Sequence, residues 1–103
     1  MEFKGFRVLE GAIVFANLVA ELKLSSPTLK KQLVRATEST ALLLAEGQGR
    51  ETWPDKVHFF NSARASHREA QTALRIGRVQ NPKILDLSDY LGGGIYKLTK
   101  WRA

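Results

Sequence analysis

Each of the three prolines in this chain follows, by one or two residues, a side chain suited to capping a helix: Ser26-Pro27, Thr52-Trp53-Pro54 and Asn81-Pro82. Proline is tolerated in the first turn of a helix, where its missing N–H has no partner to lose, and is expelled from a helix interior. Serine, threonine and asparagine supply the oxygen that accepts from the unpaired N–H groups of that turn. Three such signals cut the chain into four stretches, each with apolar residues at steps of three and four, and no strand-like alternation competes. The fold class this dictates is all-α, an up-down-up-down antiparallel four-helix bundle occupying residues 1–103 as one domain.

The first helix is expected from about Phe6 to Lys23, with Phe6, Leu9, Ile13, Ala16 and Ala20 inward. The second runs from Pro27 to Glu46 on a seam of Leu29, Leu33, Ala36, Thr40 and Leu43. Gly47 then stands where a left-handed residue closes a helix, and Thr52 opens the third helix, which continues to Arg78. The short connection between them suits antiparallel neighbours. The fourth helix, from Pro82, carries Ile84, Leu87, Leu91, Ile95 and Leu98 on one face.

Two features strain this pattern. In "AIVFANLVA", residues 12–20, Asn17 is the only polar residue, and a helix apolar all round must be buried all round. A bundle of 103 residues does not wrap one helix on every side, so either a second copy covers the remainder or some Val and Ala stay partly exposed. The second feature is Gly92-Gly93-Gly94, where each glycine costs about 1 kcal/mol against alanine. There the helix is either broken or closely approached by a neighbour.

Bulk properties exclude several functions. No stretch approaches the roughly 20 apolar residues of a membrane span. The absence of cysteine removes disulfides, thiolate nucleophiles and Cys-ligated zinc. With no secretory-type leader either, a cytoplasmic location is expected. Neither a phosphate-cradling glycine loop nor a Gly-x-Ser-x-Gly elbow is present, so no cofactor is called for. His58 and His67 are half a turn out of phase on one helix and do not share a metal; both are expected at a surface or interface.

Charge is more informative. Residues 1–51 hold seven basic and six acidic residues, and residues 52–103 hold nine and four. Most of that excess is organised: Arg64, Arg68, Gln71, Arg75 and Arg78 recur at steps of four and three, one helical face about 21 Å long. Arginine's planar fork suits bidentate phosphate contact, and the stripe spans several successive phosphates of a nucleic-acid backbone. Arginines on such a face also pair with carboxylates of a neighbouring subunit; on this helix only Glu69, off the stripe, could offset them locally. The other flank, Phe59, Ala63, Ser66, Ala70, Ala73 and Gly77, admits a close helix neighbour, and Ser66 there is a packing residue rather than a nucleophile. Trp53 and Trp101 are expected to cover the ends of a core, with base stacking as the alternative.

The segment "QLVRATESTALLLAEGQGR", residues 32–50, followed by Ala63, Ala65, Ser66 and Glu69 in an A-x-[G/A]-S-x-x-E spacing, resembles the four-helix bundle family named after large-subunit ribosomal RNA intervening sequences. The resemblance covers about residues 6–100, and its most specific part is Ala45, Glu46, Gly47, Gly49 and Arg50. It implies homopentameric up-down-up-down bundles without enzymatic activity. It also implies kinship with accessory proteins of diversity-generating retroelements, which partner a reverse transcriptase and bind nucleic acid. Where family members carry Pro-Ser-Asn ahead of the motif, this chain has Ala41, Leu42 and Leu43, which makes the inner end of the second helix more apolar.

The resulting expectation is a non-enzymatic homo-oligomer, a pentamer by resemblance, that binds RNA or DNA through Arg50, Arg64, Arg68, Gln71, Arg75 and Arg78 as accessory to a ribonucleoprotein or reverse transcriptase. Arg50 is expected to be free beside the basic surface. The rival expectation is a structural scaffold whose basic face docks an acidic protein. A third expectation, an enzyme, would gain weight from a polar pocket on which Glu46, Glu69 and a histidine converge.

Overall fold

The computed structural model describes residues 6–100 of the chain. Four helices follow one another, α1 (Arg7–Ala20), α2 (Pro27–Gln48), α3 (Trp53–Ile76) and α4 (Pro82–Lys100). All three cap-plus-proline signals act as the sequence predicts. Ser26 Oγ accepts from the Leu29 N–H at 3.1 Å, Thr52 Oγ1 from Asp55 at 3.3 Å and Asn81 Oδ1 from Ile84 at 3.1 Å.

The helices pack in a closed ring, α1 on α2, α2 on α3, α3 on α4 and α4 back on α1. Directions follow from paired residues. Gly47 lies against Phe60 while Gly77 lies against Leu29, so α2 and α3 are antiparallel; Gly11 meets Leu91 while Gly94 meets Val8, so α1 and α4 are too. His67 bonds Ser88 while Arg64 stacks on Tyr96, completing an up-down-up-down bundle. The expected small-residue flank of α3 faces α2, with Ala63, Ala70 and Ala73 buried and Ser66 Oγ 3.0 Å from Ser39 Oγ. Trp53 packs partly buried against the core, and Trp101 lies outside the described residues.

Four expectations need correction. On α1 the inward residues are Leu9, Ala12, Phe15 and Val19, whereas Ile13 and Val14 are 41% and 48% exposed. An almost wholly apolar segment marks no face by spacing, and the bulky Phe15 ring takes the interior, against His67. The helix also stops at Ala20 rather than Lys23, and the Lys30 ammonium donates to the Leu22 carbonyl beyond it. On α2, Leu42 is 70% exposed, so of the leucines ahead of the glycine turn only Leu43 and Leu44 pack inward.

Gly47 does not close α2: the helix continues to Gln48, and no glycine among the described residues has positive φ. A Cβ on Gly47 would lie 2.6 Å from Phe60 Cε1, so the glycine is there to let α3 approach. The same reason settles the triple glycine. α4 runs unbroken through it, and a Cβ on Gly94 would stand 2.7 Å from Val8 Cγ2, while one on Gly93 would meet nothing within 4 Å.

The fourth correction concerns Arg78, expected as the last residue of α3. The helix ends at Ile76, and Arg78 adopts φ 54°, the left-handed conformation. The Val79 N–H reaches the Leu74 carbonyl at 3.0 Å and the Arg78 N–H reaches Arg75 at 3.1 Å, the bond pair of a Schellman closure. Glycine, the residue suited to that position, sits one place earlier, because a Cβ on Gly77 would press to 3.2 Å from Leu29 Cδ2. Replacing Arg78 by glycine is therefore expected to stabilise the bundle by about 1 kcal/mol. A thermal melt that does not rise would contradict this reading of the turn.

Candidate nucleic-acid interface

Three arginines of α3, Arg64, Arg68 and Arg75, lie along its flank toward α4. Arg64, Arg68 and Gln71 line a depression of about 400 Å³, with Asp89, Gly93 and Tyr96 on the α4 side. Arg68, Gln71 and Arg75 line a second of about 370 Å³ with Leu85 and Asp89. Arg68, Gln71 and Asp89 belong to both, so the two form one trough between the helices. At one end the Arg64 guanidinium lies 5.0 Å from the centroid of the Tyr96 ring, and the Lys100 ammonium lies 5.4 Å from it. Such cation–ring contacts hold planar groups in place at the lip of the trough.

Four of the six expected residues thus come together, and two do not. Arg78, turned by its left-handed backbone, lines a separate depression beside Leu24, Ser25, Ser26 and Leu29 at the α1–α2 connection. Arg50 is not free: its guanidinium pairs with the Glu46 carboxylate and lies 4.6 Å above the Phe59 ring. That pair is the only ion pair within 4.0 Å among the described residues. Arg64, Arg68 and Arg75 consequently keep their forks unpaired by any carboxylate among the described residues. Glu46 is held by Arg50, and Glu69 lines the α2–α3 groove, away from the depression that His67 borders.

The sequence reading missed Asp89, Tyr96 and the burial of His67. Asp89 and Tyr96 lie on a different helix from the arginine stripe, and only the α3–α4 packing brings them to it. His67, expected at a surface, is 2% exposed. Its Nε2–H donates to the Ser88 carbonyl at 2.9 Å, which leaves Nδ1 as a buried acceptor without a partner.

Burial depresses the His67 pKa below the usual 6.5, against smaller opposing contributions from the Ser88 bond and the Asp89 charge. The unfolded chain therefore binds a proton that the folded one refuses. Stability from this group is fully present above about pH 6.5 and falls as the pH drops from there toward the depressed folded value. Urea unfolding at about pH 7 and about pH 5 should show this loss in the native protein and a smaller one in His67→Gln. Equal losses in both would show that His67 does not govern acid stability. The charged groups around the ring are Arg64, Arg68 and Asp89, which line the same depression.

The model of the 23S rRNA-intervening sequence protein family matches residues 4–86. The chain belongs to that family. The matched range takes in α1, α2, α3 and the first turn of α4, and so includes every arginine of the trough. Asp89, Gly93 and Tyr96, the α4 wall, lie beyond it, and membership in the 23S rRNA-intervening sequence family does not speak to them. Comparisons with curated proteins and with solved structures find no match. Among the described residues no helix is long and apolar enough to cross a membrane.

Proposed function

We propose that this chain is a non-enzymatic, homo-oligomeric bundle that binds RNA or DNA backbone along the α3–α4 trough, as an accessory to a ribonucleoprotein or a reverse transcriptase. The observation that carries the proposal is the set of Arg64, Arg68 and Arg75 on one flank, none within 4.0 Å of a carboxylate among the described residues. Unpaired guanidinium forks one and two helical turns apart match phosphates in their charge and bidentate geometry. Membership in a family named for rRNA intervening sequences supports nucleic acid as the anion. Self-association is supported by Ile13, Val14 and Tyr90, large apolar side chains left about half exposed on α1 and α4. The pentamer and the reverse transcriptase partner come from the resemblance to the accessory proteins of retroelements. Repetition of the trough around an oligomer converts weak single contacts into avidity.

The test is the light-scattering mass of the purified protein, alone and with a structured RNA, at low and moderate salt. A multimer whose mass rises with RNA at low salt and loses that increment at moderate salt is the expected result. An oligomer indifferent to RNA at both would overturn the nucleic-acid reading in favour of a scaffold docking an acidic protein. A monomer would overturn self-association.

A further inference from the structure

We propose that the trough also reads a base: the depression bounded by Arg64, Arg68, Gln71, Asp89 and Tyr96 accepts one unpaired guanine. This inference rests on the nucleic-acid reading of the same trough. It begins from Asp89, whose carboxylate is out of place in a phosphate-binding groove. An unpaired acid beside the backbone repels it and lowers affinity, yet Asp89 lines both depressions and has no cationic partner within 4.0 Å among the described residues. The Gln71 amide beside it makes no hydrogen bond to another described residue. Two uncommitted polar groups of opposite preference, one accepting and one able to donate, therefore face the same space as two arginines.

Guanine matches that set. Its O6 and N7 accept from an arginine fork or an amide, and its N1–H and N2–H₂ form a pair of donors that a carboxylate accepts. Adenine lacks the second donor, while cytosine and uracil lack the O6/N7 pair. The Tyr96 ring, 45% exposed with the Arg64 guanidinium 5.0 Å from its centroid, supplies a planar surface for the base. Gly93 keeps the α4 wall low, since a Cβ there would meet nothing within 4 Å and would instead project into open space. The volume of about 400 Å³ falls in the range of small-ligand sites, ~300–1,000 Å³. In a duplex the N1–H and N2–H₂ donors are occupied by cytosine, so the base has to be unpaired.

The experiment measures, by fluorescence anisotropy at low salt, the binding of short labelled oligouridylates carrying one central guanosine, adenosine, cytidine or inosine. Guanosine should bind about tenfold more tightly than adenosine or cytidine, with inosine, which lacks the N2 amine, in between. In Asp89→Asn this preference should vanish while binding to plain oligouridylate becomes tighter, because a repelling charge has gone. Asp89 is exposed, so the variant should fold as the native chain does. Equal affinity for all four oligomers, or a preference unchanged in Asp89→Asn, would overturn the guanine site and leave backbone binding intact. No binding to any of them at low salt would overturn both.

Discussion

Gly47→Val should lower the unfolding free energy by about 3 kcal/mol, at the upper end of the cost of overpacking one core position. On propensity alone the substitution would be slightly favourable, because glycine is among the worst residues for a helix interior and valine is a few tenths of a kcal/mol better, about 0.4. Packing decides the sign. Gly47 is buried, and its missing Cβ faces Phe60 Cε1 and Cδ1 at 2.6 and 2.9 Å and Phe59 Cβ at 3.1 Å. Phe60 is itself 3% exposed, so its ring cannot swing into solvent to make room. Gly93→Val, at a position where a Cβ meets nothing within 4 Å, isolates the propensity term and should be neutral or slightly stabilising. For a domain of this size the Gly47 change corresponds to a fall in Tm of more than about 10 °C. Equal melting temperatures for the two variants would mean that α2 and α3 are not packed as closely as Gly47 and Phe60 indicate.

Gly47 also shows where sequence reasoning reaches and where it stops. Ser26, Thr52 and Asn81 cap their helices through bonds to residues three positions on, so each cap is written within four letters of sequence and each was legible. The small flank of α3 was legible for a similar reason, since only a close helix neighbour favours Ala63, Ala70 and Ala73 at one spacing. Gly47 looks like a helix end in sequence, but its cause is a phenylalanine on another helix. Asp89 reaches the arginine stripe only through the α3–α4 crossing, and His67 is buried by Phe15 of the helix diagonally across. α1 failed for a different reason: where nearly every residue is apolar, periodicity carries no phase. In Arg50 and Arg78 the charge was legible but not its destination. Glu46 one turn back captures the first, and the left-handed turn at Arg78 carries the second away from the stripe.

Arg68→Glu combined with Arg75→Glu should weaken nucleic-acid binding by more than about 100-fold at low salt and flatten the slope of log affinity against log salt by about 2. Both side chains are exposed on α3 and neither is paired with a carboxylate among the described residues, so the fold should be retained and the loss should be electrostatic. Overall charge alone would give a different pattern, and position separates the two. Reversal at Arg50, held by Glu46 and Phe59, changes the net charge as much as reversal at Arg68 does, yet it should cost far less affinity. Arg78→Glu, in its separate depression, should fall between them. If Arg50, Arg68 and Arg75 reversals weaken binding equally, the protein attracts nucleic acid through a diffuse field and the trough is not its seat. If Arg68 and Arg75 dominate, phosphates are held at α3, and a backbone bound there runs beside the depression that Arg68 shares with Tyr96.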